Sequence, residues 1–261
     1  MILLRNVVPP LITLALVLAV WTYVTGPGGL PSYLLPDPVS VGRALWTGLV
    51  SGEYGPHIQY TLTSTLLGYG IGSVAAIMIG ILVAESRPFE RFVFPYIVAI
   101  QAMPKVALAP LILVWFGFGL ASKVVLVALI CFFPLLVNTI AGIRRTDPEL
   151  IDMARSFSRP GWWIFLHVKL PAAAGAICAG LEIGIVLALI GAIVGEFVAA
   201  EKGVGYLIGS ATVNMNVATM FAGVLMLAGF GIVGSTLVRF AQRRIVFWEQ
   251  APDQSKQGER A

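Results

Sequence analysis

Long, uninterrupted runs of apolar residues recur along this chain and limit the folds open to it. A helical run of about 20 apolar residues matches the hydrocarbon thickness of a bilayer, whereas a transmembrane barrel needs polar and apolar residues to alternate. The sequence therefore predicts an all-α polytopic membrane protein. Six spans are predicted, at residues 7–24, 57–83, 92–116, 124–140, 171–199 and 217–238. The glycine-rich segment 201–216 is interpreted as a loop.

The composition agrees with this class and excludes a soluble protein. Hydrophobic residues occupy 58% of the 261 positions and charged residues only 11%, whereas soluble domains carry about 25% charged residues. The net charge of +4 is not arranged as a basic stripe with interleaved aromatic residues, so no nucleic-acid partner is expected. Cys131 and Cys178 lie inside apolar runs, and we interpret them as small core residues rather than a disulfide or a metal pair.

Lysine and arginine divide unevenly between the two sides when successive spans alternate in direction. One side carries thirteen of these residues, and the other carries Arg43, Lys123 and Lys202. An excess of this kind marks the cytoplasmic side of a membrane protein. Both termini and the polar segment 143–170 are therefore predicted to face the cytoplasm.

The third predicted span is interrupted by the segment Gln101-Ala102-Met103-Pro104-Lys105. Proline removes a backbone donor and frees a carbonyl that lipid cannot satisfy, so this break should line protein or a water-filled path. Lys105 has two interpretations. It is a counter-charge for an anionic solute, or it bonds to water or to a backbone carbonyl.

Three other polar residues fall inside predicted spans, where a charge is costly unless it is paired or hydrated. Glu182 faces either a dimer cavity or a neighbouring arginine. Glu196 either caps a helix or pairs with Lys202, or it acts as a gate or interface group. Asn138, close to Pro134, is interpreted as a residue that bonds between helices.

The polar segment 143–170 contains the signals of a helix start. Thr146 or Asp147 is the predicted N-cap, with Pro148 in the first turn and Glu149 placed to bond back to the cap. The predicted helix ends at Phe157, and a second short helix follows at 162–165. One face of the first helix is apolar and consists of Leu150, Ile151, Ala154 and Phe157.

An apolar face outside the membrane admits two interpretations. The helices form an interfacial elbow on the lipid headgroups, which Trp162 and Trp163 would suit. Alternatively, they form a docking surface for another protein. The residue pattern of this segment alone leaves both open.

Three stretches of the chain resemble one family. Asp152-Met153-Ala154, then Ser158, then Val168-Lys169-Leu170-Pro171 reproduce the spacing of the E-A-A, G and I-x-L-P loop of binding-protein-dependent ABC importer permeases. The chain departs from that pattern in Asp for Glu, Met for Ala and Ser for Gly. Residues 104–123 and 195–208 resemble the branch that imports taurine, alkanesulfonates, nitrate, thiamine precursors and related small solutes.

The resemblance implies a type I ABC importer permease with six transmembrane helices in the bacterial inner membrane. It implies a homodimer, two ABC ATPase subunits on the cytoplasmic loops and a periplasmic or lipid-anchored substrate-binding protein on the outer face. We expect one permease domain, 1–250, with a coupling loop at 143–170 that meets the ATPase through residues 147–167, and a disordered tail at 251–261.

Two groups of candidate site residues follow from these patterns. The ATPase-coupling group is Glu149, Leu150, Ile151, Asp152, Ala154, Arg155, Phe157, Ser158, Trp162 and Trp163. The polar path or gate group is Gln101, Met103, Lys105, Asn138, Glu182 and Glu196.

The sequence contains no G-x-x-x-x-G-K-[ST] phosphate loop, so ATP and Mg are expected on the partner ATPase and no cofactor on this chain. We do not expect an enzyme, because His57 and His167 fall on opposite sides of the membrane. The alternative function is an ion-coupled secondary transporter or channel, since such carriers also use broken helices and intramembrane carboxylates.

The sequence leaves the solute unidentified. The stretch 191–196 resembles permeases for pyrimidine or vitamin precursors more than those of the sulfonate branch. In this family the binding protein is expected to select the solute.

Overall fold

The structure, a computed structural model, describes the backbone of residues 2–246 and the side chains of residues 8–246. All regular secondary structure in this part of the chain is helical, which confirms the all-α prediction. The predicted disordered tail, 251–261, lies outside the described residues. The helices are α1 (Ile2–Val24), α2 (Pro38–Val50), α3 (Gly55–Glu85), α4 (Arg87–Ala102), α5 (Ala109–Phe116), α6 (Leu120–Arg144), α7 (Pro148–Ser156), α8 (Gly161–Ile164), α9 (Leu170–Ala199), α10 (Val204–Val213) and α11 (Val217–Ile245).

Within the described residues, four helices are long and apolar enough to cross a membrane, namely α3, α6, α11 and the continuous helix Gly161–Ala199. The pair Arg87–Ala102 and Lys105–Phe116, bent by 89° at the predicted break, makes a fifth candidate span if the two helices are counted together. The predicted first span corresponds to α1, whose described apolar part is the shorter segment Val8–Val24. The order of elements thus follows the six predicted spans.

The fifth span does not begin at Pro171, as the sequence suggests, because one helix of 39 residues runs through this proline. A π-helical turn at Phe165–Lys169 precedes it, in which the Leu170 N–H bonds to the Phe165 carbonyl. This wider turn moves the preceding carbonyls away from the proline ring, which would clash with them in a regular α-helix. The short helix predicted at 162–165 and the fifth span therefore form one rod.

The segment 201–216 is also more ordered than predicted, because it contains α10. Gly203 stands at the N-cap with φ of 120°, so the glycine supplies a helix start instead of a loop. Val204 and Leu207 are among the buried apolar side chains that fix this helix. Tertiary burial thus overrides the local glycine signal.

The chain divides into two compact units. The first contains Met1–Leu62 and Glu196–Gly229, and the second contains Thr63–Gly195 and Phe230–Ala261. In the first unit, the Trp21 indole N–H donates to the Pro36 carbonyl over 2.9 Å, and the Trp21 ring lies 5.9 Å from that of Phe221. These contacts join α1 to the segment just before α2 and to α11.

The core of the second unit is built around α6. Leu135 and Leu136 of α6 are fully buried and belong to one apolar cluster with Ala76 of α3 and Ala173 of α9. A Cβ at Gly142 would lie 2.8 Å from the Ala176 Cβ, so α6 and α9 approach each other almost backbone to backbone. Small residues permit this approach in a bilayer.

Candidate coupling surface and polar sites within the spans

The first helix of the segment 143–170 is α7, and its N-cap is Asp147, whose Oδ1 accepts the Glu149 N–H over 2.9 Å. Thr146, the other predicted cap, is buried and donates its hydroxyl to the Ile143 carbonyl over 2.9 Å. With Asp147 as N-cap, Glu149 occupies the second helical position and not the third, which the reciprocal capping bond requires. The predicted helix start is thus present, but with a different set of bonds.

The predicted apolar face of α7 is divided in the structure. Ala154 is 5% exposed and Ile151 half-buried, so these two side chains anchor the helix. Leu150, Met153 and Phe157 are 44%, 55% and 72% exposed and form an outward stripe at i, i+3 and i+7. Sequence reasoning missed Met153, although its helical spacing from Leu150 is visible in the sequence.

Ser158 ends α7 in the left-handed region, with φ of 54°. Its N–H bonds to the Arg155 carbonyl over 2.8 Å, and the Arg159 N–H bonds to the Ala154 carbonyl over 3.3 Å. This pair of bonds is the Schellman motif, in which the left-handed position is usually glycine. The glycine of the family pattern therefore corresponds to a backbone requirement that Ser158 meets at a conformational cost.

The second half of the segment carries stacked side chains. Trp162 is 64% exposed, whereas the Trp163 ring stacks on His167 at 4.3 Å and lies under the Arg159 guanidinium at 4.9 Å. Lys169 closes the segment with an ion pair to Glu85, 2.7 Å from Nζ to Oε1. The exposed Trp162 therefore lies next to side chains that are held by stacking and by an ion pair.

The other charged residues predicted for coupling, Glu149, Asp152 and Arg155, are exposed. Asp152 and Arg155 form an ion pair of 3.2 Å, one turn apart. Exposed pairs of this kind contribute little stability. Their side chains are therefore available at the surface beside the apolar stripe.

At the break in the third span, Gln101 and Met103 are exposed. Lys105 is half-buried, and its Nζ donates to the Gln101 carbonyl over 3.4 Å and lies 4.7 Å from the centre of the Phe133 ring. Lys105 therefore bonds to a backbone carbonyl beside an aromatic face in this structure, and its role as a counter-charge for a solute stays a prediction.

Two further predicted polar residues have partners in the second unit. Asn138 donates from Nδ2 to the Pro134 carbonyl over 2.8 Å, a bond within α6, so this bond does not join two helices. Glu182 forms an ion pair of 3.2 Å with Arg239 of α11. The two alternatives for Glu182 are a dimer cavity and a neighbouring arginine, and in this structure Glu182 pairs with an arginine.

Glu196 is 1% exposed and caps the N-terminus of α10. Its Oε2 accepts the Gly205 N–H over 2.7 Å, and its Oε1 accepts the Thr61 hydroxyl over 2.8 Å. The Thr61 oxygen in turn accepts the Val204 N–H over 2.8 Å. A carboxylate satisfies the free amides and the positive end of the helix dipole at such a terminus.

An open polar cleft of about 500 Å³ lies between α2, α10 and the start of α11 in the first unit. Its charged residues are Arg43 and Glu53, and its amide side chains are Asn214 and Asn216. No local sequence pattern indicates this cleft, because α2 lies far along the chain from the other two helices that form it.

The described residues contain no group of three or more His, Cys, Asp or Glu side chains placed to hold a metal ion. Cys131 of α6 and Cys178 of α9 are buried and do not form a disulfide with each other.

The fold, the bent helix pair and the exposed loop are those of a polytopic α-helical membrane protein. Residues 72–247 match the family described as binding-protein-dependent transport system inner membrane component, so the chain belongs to this family. It is an ABC importer permease subunit of the branch that the sequence resembles, and that resemblance is confirmed.

Among curated relatives, the riboflavin transport system permease protein of Chloroflexus aurantiacus is 37% identical, covering 91% of this chain and 89% of the relative. The putative aliphatic sulfonates transport permease protein of Bacillus subtilis is 32% identical, covering 91% and 86%. These two relatives are named for different solutes, riboflavin and aliphatic sulfonates.

Solved structures agree on the fold. The inward-facing MetNI methionine ABC transporter matches with a TM-score of 0.61 and 19% identity, covering 81% of this chain and 97% of that one. An amino acid ABC transporter crystallised with histidines matches with a TM-score of 0.58 and 22% identity, covering 79% and 96%. The predicted type I permease architecture is confirmed.

Proposed function

We propose that this chain pairs with a second copy to form the translocation pathway of an ATP-driven importer. In this proposal two separate ATPase subunits bind ATP and Mg, and a substrate-binding protein delivers a small solute to the outer face. The pathway lies in a bacterial inner membrane, with both termini in the cytoplasm. Membership of the permease family supports the proposal, as does the thirteen-to-three distribution of Lys and Arg.

The observation that carries the ATPase-coupling role is the exposed apolar stripe Leu150, Met153 and Phe157, with Trp162 beside it. Exposure of an apolar stripe to water is unfavourable, so its burial against a partner lowers the free energy. Burial of one phenylalanine in a partner groove contributes roughly 1.5–3 kcal/mol. The continuous helix Gly161–Ala199 would carry movement at this surface directly into the fifth span.

Charge does not separate the docking surface from the interfacial elbow. The helix α7 and its cap carry Asp147, Glu149 and Asp152 against Arg155, but Arg144, Arg145, Arg159 and Lys169 flank them, so the segment 143–170 is positive overall. A positive segment suits the anionic lipid of a cytoplasmic leaflet as well as a protein groove. The following experiment separates the two.

The test is Phe157→Asp in the full complex reconstituted with its ATPase. We expect ATPase association to weaken by about one to two orders of magnitude and stimulated hydrolysis to be lost, while the permease still inserts and dimerises. Ser156→Asp is the matched control, because it adds the same charge to the same helix beside the stripe.

Equal ATPase retention by the wild type and Phe157→Asp would reject the docking surface. Vesicles that contain the permease alone test the alternative function. Solute uptake driven by an ion gradient without ATPase would establish a secondary transporter.

The solute is assigned only by class, as a small molecule that the binding protein selects. The similarity of residues 191–196 to permeases for pyrimidine or vitamin precursors favours that group. The open cleft of about 500 Å³ between α2 and α10 is a candidate contact for the binding protein. Ligand screening of the binding protein that delivers solute to this permease tests the assignment.

A further inference from the structure

Two arginines near the start of α4 have no hydrogen-bond or ion-pair partner within residues 8–246. Arg87 and Arg91 are exposed and lie one helical turn apart. Glu90, between them, is already paired with Arg144, 2.7 Å from Oε1 to Nη2. The corner therefore keeps two positive charges that the described protein does not neutralise.

These arginines border a cleft of about 460 Å³ that opens to the surface. Its other lining residues are Glu90, Phe94 and Pro95. The cleft therefore combines a cationic end at Arg87 and Arg91 with an apolar wall one turn further into the helix. A ligand that fits it has an anionic group joined to an apolar portion.

The position of α4 indicates where that ligand comes from. The helix begins in a polar turn and continues into the broken third span, so its first turns lie at the boundary between water and hydrocarbon. Phe92 and Tyr96 are 76% and 70% exposed on the same helix, and aromatic residues concentrate at this depth of a bilayer. A lipid is the ligand available there.

We propose that this cleft binds the headgroup of an anionic phospholipid. The phosphodiester lies against Arg87 and Arg91, whose planar guanidinium groups match phosphate oxygens in charge and geometry. The glycerol and upper acyl carbons lie along Phe94 and Pro95. A zwitterionic lipid is disfavoured, because its ammonium group would stand beside two arginines while Glu90 is occupied by Arg144.

Lipid retention by the purified full-length chain tests this proposal. The protein in neutral detergent is incubated with equal amounts of phosphatidylglycerol and phosphatidylcholine, and bound lipids are counted by native mass spectrometry. We expect the wild type to retain phosphatidylglycerol preferentially. Each cation near an anionic headgroup raises the affinity for the anionic lipid about fivefold. The double variant Arg87→Gln, Arg91→Gln should therefore reduce the ratio of bound phosphatidylglycerol to phosphatidylcholine by roughly 25-fold.

Arg243→Gln is the matched control, since it removes the same charge from an exposed residue of α11. Preservation of the preference in this control supports a specific site, and an equal loss in both variants overturns it. Absence of any wild-type preference also overturns the proposal. Displacement of phosphatidylglycerol by millimolar inorganic phosphate would assign the cleft to a soluble anion and reject the lipid.

The single variants keep the test decisive if the double variant fails to fold. Each of Arg87→Gln and Arg91→Gln should reduce the preference by about fivefold, and Arg87→Lys with Arg91→Lys should retain most of it. The proposal is independent of ATPase coupling, because the measurement requires neither partner nor nucleotide.

Discussion

Single residues in this permease hold backbone geometry that other residue types cannot adopt. Gly203 is the clearest case, because it has φ of 120° and a Cβ at this position would overlap the Glu196 carboxylate. The same carboxylate accepts bonds from Thr61 and Gly205. A side chain at 203 would therefore disturb the whole N-terminus of α10.

We predict that Gly203→Ala destabilises the protein by more than the backbone strain alone. Gly52 has φ of 77°, and a Cβ added there would have no atom within 4 Å, so Gly52→Ala measures the strain of a positive φ without overlap, roughly 1–2 kcal/mol. Gly203, at φ 120° and ψ 158°, combines a conformation that is essentially limited to glycine with the overlap on Glu196. Thermal unfolding in detergent should give a larger loss for Gly203→Ala. Equal losses in the two variants would show that α10 tolerates displacement of Glu196.

A second residue-scale prediction concerns Ser158, which has φ of 54° without being glycine. Ser158→Gly should raise stability by about 0.5–1 kcal/mol, because glycine adopts this conformation without steric cost. Ser158→Val should lower stability by roughly 1–3 kcal/mol. A lower melting temperature for Ser158→Gly than for the wild type would contradict the strain at this turn.

At the scale of helices, close packing rests on small residues at particular faces. A Cβ at Gly68 would lie 2.5 Å from the Val127 Cβ, and one at Gly72 would lie 2.7 Å from the Ala128 carbonyl oxygen. Another face of α3 exposes large apolar residues such as Ile71 and Met78, as expected of a face toward lipid. The glycines of α3 therefore define its contact with α6.

This packing predicts different outcomes for neighbouring glycines. Gly72→Leu should separate α3 from α6 and cost about 1–3 kcal/mol or more. Gly70→Leu, where no atom lies within 4 Å of a Cβ, should change stability by less than about 0.5 kcal/mol. The check is the fraction of folded, monodisperse permease after heating, and similar losses in both would exclude this helix contact.

At the scale of the whole molecule, the break in the third span interrupts the backbone bonding that a spanning helix normally completes. The two halves meet at 89° around Met103 and Pro104. Unbonded backbone at membrane depth is tolerated only where it is buried in protein or lines a water-filled cavity. The break is therefore the part of the span best suited to border a solute path.

We predict that cysteines at Gln101, Met103 and Lys105 react with a water-soluble maleimide in at least one nucleotide state of the assembled complex. Cys131 and Cys178 are replaced by alanine to remove background thiols. Met78→Cys is the matched control, because Met78 is 61% exposed on an apolar face of α3 and should stay unlabelled in lipid. Failure of all three break positions to react would reject the path.

The sequence alone was sufficient for features that depend on local pattern. Hydrophobic run length located the apolar helices, although not the start of the fifth span, and the proline-containing break located the bend. Cap and turn residues located α7, which ends at Ser156 with Phe157 as its C-cap. These signals suffice because helix formation and membrane insertion depend on neighbouring residues. The spacing around Ser158 also located the turn that the structure shows to be left-handed.

Only the tertiary structure showed which groups the buried charged side chains bond to and which side chains are exposed. From the sequence, Lys123 is assigned to the outer side of the membrane as one of three cations there. In the structure it is fully buried, and its Nζ donates to the Phe118 carbonyl over 2.6 Å. Glu182 meets Arg239, and Glu196 meets Thr61, although neither partner is near in sequence. The environment of a buried charge depends on residues that folding brings together from distant parts of the chain, so periodicity and spacing cannot specify it.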